Sequence, residues 1–198
     1  MTDWFLSLVP EYGLWLLAAT TFLSCLAVPV PSSMMMLAAG GFAAAGDLAL
    51  PSTVAAALTG AVLGDQAGFG LGRLGGPALI ARLSTAPNRA RALDRARALL
   101  ARRGDLAIFL TRWLFSPVGP WANFAAGAGG LTWVHFSFWG VAGELVWVGL
   151  YTGMGHAFAG NLEAAGDLLS SGLGLVGGLA AMIGLGFWLG AQLRHARS

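Results

Sequence analysis

Four ionisable residues sit inside apolar stretches of this sequence: Asp65, Arg73, Arg112 and Glu144. A charge at the centre of a bilayer costs at least about 2.5–3.5 kcal/mol on insertion scales, so such residues usually pair or line a pathway. Arg112 lies in LTRWLFSPVGPWANFAAG (110–127), beside Pro117, Gly119, Pro120 and Asn123. A guanidinium near helix ends in a low dielectric is suited to a phosphate or a carboxylate. Asn123, in the returning limb, adds a donor and an acceptor. Arg112 is therefore expected either to receive an anionic headgroup or to lock Asp65 or Glu144 in place, and these roles could alternate.

Glu144 sits in the middle of an apolar run, and Gly140, Glu144, Trp147 and Tyr151 share one helical face by their 4-3-4 spacing. That mixed polar and aromatic face should look inward. A glutamate deprived of water could carry a proton, or it could be satisfied by an arginine. Asp65 lies on a helix that also carries Gly60, Gly64, Gly68, Gly72 and Gly76, all four apart. Such a ridge lets another helix approach closely; it lacks the lysine and hydroxyl of a phosphate-binding P-loop. Asp65, Phe69 and Arg73 form the adjacent stripe. Arg73 is suited either to snorkelling toward the membrane interface or to a ligand role.

Other chemistries find little support. Cys25 is the only cysteine, and His135, His156 and His195 are scattered. No disulfide, cofactor or protein-bound metal is expected. No Gly-x-Ser-x-Gly or His-Glu-x-x-His motif is present, and no histidine neighbours Ser32 or Ser33. A membrane lipid phosphatase therefore ranks below a transporter, and no enzyme activity is expected.

The elements that must hold these residues follow from composition. The chain is 57% hydrophobic and 10% charged, against about 25% charged in soluble domains. Residues 12–29 and 168–193 carry no charge, and each could cross a hydrocarbon layer of about 30 Å. The reading is a single all-α membrane domain over residues 1–198. It has spans at 12–29, 50–72, 132–156 and 168–193, and broken segments at 30–46 and about 106–130. The acid near the N-terminus, where a signal peptide would be basic, suggests that the first span is retained.

All eleven basic residues are arginine, and eight lie between Arg73 and Arg103, where Asp94 is the only acid. Basic flanks stay on the cytoplasmic side, so residues 82–103 and the C-terminus are placed there rather than on nucleic acid. Leu93, Ala96 and Leu100 share one side of an amphipathic helix at about 82–103. That pattern suits a helix lying along the inner membrane surface near anionic headgroups.

The two broken segments resemble each other. Pro29-Val30-Pro31, with Ser32 and Ser33 just beyond, is followed by Ala38-Ala39-Gly40. Pro117-Val118-Gly119-Pro120 is followed by Ala125-Ala126-Gly127. A helix with one glycine-acid pair follows each: Gly64-Asp65 and Gly143-Glu144. With the arginine helix inside, the halves (about 20–76 and 106–156) run in opposite senses. That arrangement gives two inverted re-entrant hairpins whose tips meet near the midplane, a transporter plan. Broken backbone at depth needs protein or a wet cavity to satisfy it. The competing reading is that Pro117 and Pro120 merely kink one full spanning helix.

At these motifs the chain resembles the DedA family (VTT-domain, also called SNARE-associated). GxxxGDxxGFxxGRxxG at 60–76 is similar to its first signature. FLTRWLFSPVGPWANFAAGAGGLTWVHFSFWGVAGELVW at 109–147 is similar to its second. The resemblance covers roughly residues 20–160. It implies facing re-entrant hairpins in a helical bundle of the bacterial inner membrane, and transport or scrambling of lipids, often recycling of the polyprenyl-phosphate carrier (undecaprenyl phosphate). It also implies proton-motive coupling through membrane acids, with Asp65, Arg73, Arg112 and Glu144 at the family's charged positions. Ser24-Cys25, Ser32-Ser33 and Val118-Gly119-Pro120 stand where many members carry further charges. A less charged cavity would suit a zwitterionic phospholipid or a passive scramblase. A small-ion or small-solute transporter is the alternative. The glycine ridge would serve internal packing or a homo-oligomer.

Overall fold

The computed structural model describes residues 2–114 and 116–159. Among these residues there are seven α-helices and no strand. They are α1 (Thr2–Cys25), α2 (Ser32–Ala45), α3 (Leu50–Leu83), α4 (Pro87–Arg103), α5 (Leu106–Trp113), α6 (Gly119–Ala128) and α7 (Trp133–Ala157). The span expected at 168–193 lies outside the described residues.

The proline clusters break helices rather than bend them. After Cys25 the chain turns through Ala27, whose φ of 63° is left-handed. Pro29 and Pro31 then withhold two amide donors, and α2 starts at Ser32. In the second half, a 3₁₀ turn at Ser116–Val118 separates α5 from α6, and Pro120 takes the first turn of α6, where its missing N–H costs nothing. Two helices of 8 and 10 residues therefore replace one kinked span. The long α3 runs beyond the expected 50–72, to Leu83, bending at Gly76 (φ 49°) ahead of Pro77.

Among the described residues, Leu50–Leu83 is the one helix both long and apolar enough to cross a membrane by length and composition. α7 has 25 residues, but Glu144, the histidines and the tryptophans lower its hydropathy. Tyr12–Cys25, within α1, and Ser32–Ala45 (α2) are shorter apolar stretches. Large apolar side chains point outward along α1, α2, α3 and α7: Trp15, Met34, Leu74, Val134 and Phe138 are each more than 60% exposed. A soluble protein rarely displays so many large apolar groups.

The glycine ridge of α3 receives two helices. Gly60 and Gly64 abut the backbone of α1 at Ala18 and Phe22; Gly68 and Gly72 abut α6 at Asn123 and Phe124. The two AAG glycines make similar close helix crossings. Gly127 of α6 lies on the Phe69 carbonyl of α3, and Gly40 of α2 lies on the Thr152 carbonyl of α7. α6 thus packs on α3, and α2 on α7. A valine at position 127 would drive its side chain into backbone that cannot yield. Overpacking of this kind costs about 1–3 kcal/mol. Gly127→Val is expected to lower the unfolding midpoint in detergent by several degrees, while Gly149→Ala, with nothing within 4 Å, leaves it unchanged.

The arginine helix α4 differs from its expected placement. Leu93 and Ala96 are wholly buried, in a cluster with Ile80, Ala122, Phe124 and Ala125. The apolar stripe thus covers α6 and the end of α3 instead of facing lipid. Arg89, Arg91, Arg95, Arg97, Arg102 and Arg103 remain exposed. The junction between α4 and α5 is tied to α7 by Asp105 Oδ2, 2.7 Å from His135 Nδ1.

Candidate functional site

Five helices converge on one buried polar cluster. Cys25 comes from the end of α1, Asp65 from α3, Arg112 from the end of α5, Asn123 from α6 and Glu144 from α7. Asp65, Arg112, Asn123 and Glu144 are at most 4% exposed. Glycines make the room: Gly143 lies against the Arg112 stem, Gly140 near its Nη2 and Asp65 Oδ2, and Gly68 against Asn123 Cβ.

The guanidinium is the hub. Nη1 donates to Asp65 Oδ1 at 2.8 Å and Nη2 donates to Asn123 Oδ1 at 2.7 Å. Nε lies 3.5 Å from Glu144 Oε1. Asn123 Nδ2 in turn donates to Asp65 Oδ1 at 2.9 Å and to the Cys25 carbonyl at 3.1 Å. The Phe136 ring lies 5.7 Å from the guanidinium carbon and stacks on Phe69, adding a cation–π contact. Of the two roles expected for Arg112, this arrangement is the locking one. Asp65 makes the tight pair; Glu144 is held more loosely.

Both helix breaks and this cluster border one cavity of about 450 Å³. Pro29, Pro31, Ser32 and Ser33 line it from the first break, Pro117, Gly119 and Pro120 from the second. Arg112, Glu144, Cys25 and Trp147 reach it as well; Asp65 and Asn123 lie behind them. Ser32 Oγ donates to Ser24 Oγ at 2.9 Å. The uncapped N-terminal turns of α2 and α6 also face this space, and helix N-termini favour anions.

Arg73 is not brought to this site. It is exposed and donates from Nη1 to the Leu131 carbonyl at 3.0 Å, pinning the turn after α6. Cys25, in contrast, had no assigned role, yet its sulfur lies 3.9 Å from Glu144 Oε1. A signal for it lies in the spacing: Cys25 precedes Gly40 by the same interval as Arg112 precedes Gly127. The two also pack alike, Cys25 against Gly64 and Arg112 against Gly143.

A helical bundle with large apolar side chains on its surface and a buried ion-pair cluster beside a cavity is that of a helical membrane protein. The chain belongs to the VTT-domain family, that of DedA: a sequence model described as the VTT domain matches residues 30–157. Protein DedA of Escherichia coli (strain K12) is 32% identical over 160 residues, covering 76% of this chain and 72% of that protein. An uncharacterized membrane protein of Synechocystis sp. (strain ATCC 27184 / PCC 6803 / Kazusa) is 29% identical over 144 residues, covering 72% of this chain and 65% of that one. No solved structure matches the chain.

Proposed function

We propose that this protein is a transporter that moves a phosphate-bearing lipid, a polyprenyl phosphate or a phospholipid, across the bacterial inner membrane with proton coupling. The observation that carries the reading is the cavity itself: two helix breaks meet around it, and Arg112 and Glu144 stand at its wall. The headgroup occupies the cavity while the tail stays in lipid. The breaks act as opposed re-entrant tips of inverted halves, with α4 on the cytoplasmic side and its exposed arginines toward anionic headgroups.

The coupling follows from charge. Arg112, Asp65 and Glu144 together carry one net negative charge when both acids are ionised. An entering phosphate competes for the guanidinium and releases Asp65. The added negative charge in a poorly solvated site makes protonation of an acid the compensating event. Anion and proton then travel together, and restoring the Arg112–Asp65 pair resets the site.

A lipid with a photoreactive phosphate headgroup tests the binding site. After cross-linking in nanodiscs, the label is expected on peptides containing Ser33 or Trp121, and a neutral-headgroup analogue is expected to label them weakly. Labelling confined to outward-facing positions such as Val134 and Phe138 would overturn the reading and favour a small solute as substrate.

A further inference from the structure

One ligand atom each from Cys25, Asp65 and Glu144 lies within 4.8 Å of the others, although the three come from α1, α3 and α7. All three are buried. Asp65 Oδ2 and Glu144 Oε2 have no hydrogen-bond partner among the described residues. Buried polar atoms are nearly always satisfied. Asp65 Oδ1 already accepts from Arg112 and Asn123, so Oδ2 is what remains for another ligand. Two carboxylates against one guanidinium also leave negative charge in a place where charge is costly.

A cation answers both needs, and the sulfur selects which kind. Magnesium and calcium take oxygen ligands, whereas thiolate favours zinc and its soft relatives. We infer that Cys25, Asp65 and Glu144 form a binding site for a thiophilic divalent cation of the zinc class. Zinc sits about 2.3 Å from sulfur and about 2.0–2.2 Å from carboxylate oxygen, so the three side chains close in slightly around it. Three protein ligands with one open position is the pattern of zinc sites that also bind a small molecule. Here Cys25 and Glu144 border the cavity, which supplies that fourth position. On binding, the Cys25 S–H bond is replaced by a sulfur–metal bond, and its proton leaves to cavity water. Thiolate, two carboxylates, the Arg112 guanidinium and a divalent ion then sum to zero charge.

Cys25 is the only cysteine in the chain, so any thiolate-to-metal charge-transfer absorption reports on this site alone. The full-length protein in nanodiscs would be titrated with Cd²⁺ and with Co²⁺. The expected result is a charge-transfer band saturating at one ion per chain, absent from Cys25→Ser, with Glu144→Gln weakening the ion at least tenfold. Absence of the band in the unmodified protein at saturating metal would overturn the inference without reliance on any variant. So would metal binding of undiminished affinity in Cys25→Ser, or a site that takes Mg²⁺ and Ca²⁺ as readily as Cd²⁺.

Discussion

An Arg112→Ala variant is expected to lose about 3–5 kcal/mol of stability as well as all transport, because removing one member of a buried ion pair leaves the other charge uncompensated. Burial decides the magnitude. An exposed pair is worth about 0–1 kcal/mol, but Arg112 and Asp65 are 4% and 2% exposed and bonded at 2.8 Å. The guanidinium also holds Asn123, so loss of activity and loss of stability go together in this variant. The check is a double-mutant cycle on unfolding in detergent. Adding Asp65→Asn to Arg112→Ala should recover a substantial part of the loss, giving a coupling energy well above that of independent sites. Arg112→Lys should rescue little, since one ammonium cannot reproduce a fork aimed at two partners.

Glu144→Gln is expected to leave the fold intact and to abolish gradient-driven transport. The substitution keeps the shape of a fully buried side chain and removes only its charge and titratable proton. Its contact with Arg112 is loose, 3.5 Å to Nε, so little stability depends on it. The measurement is headgroup movement in proteoliposomes with and without a pH gradient, beside the unfolding midpoint. The expected pattern is an unchanged midpoint with movement no longer responding to the gradient. A large drop in midpoint would instead make Glu144 a structural partner of Arg112.

The helix breaks and most of the polar cluster were legible in the sequence because they violate a strong rule. Two prolines three apart, or an arginine amid apolar residues, have few tolerable settings in a membrane protein. Partners were less legible. The four-residue spacing of glycines on α3 announces close helix approach without naming the neighbour, and the ridge in fact serves both α1 and α6. The stripe Leu93–Ala96–Leu100 is compatible with lipid or with protein; α6 decided it. Arg73 shares a stripe with Asp65, but two turns of helix carry it out of the cluster to the Leu131 carbonyl. Cys25 was less legible because a lone cysteine ordinarily reads as an inert core residue; only its spacing to Gly40, equal to that of Arg112 to Gly127, marks the position.

The central claim is that the cavity between the two breaks passes a phosphate headgroup under control of Arg112 and its acids. It is tested most directly by headgroup translocation in proteoliposomes of the purified protein, with polyprenyl phosphate and common phospholipids side by side. The predicted result is movement of an anionic lipid driven by the pH gradient and lost in Glu144→Gln. Movement of no lipid, with uptake of a labelled small solute in its place, would contradict it.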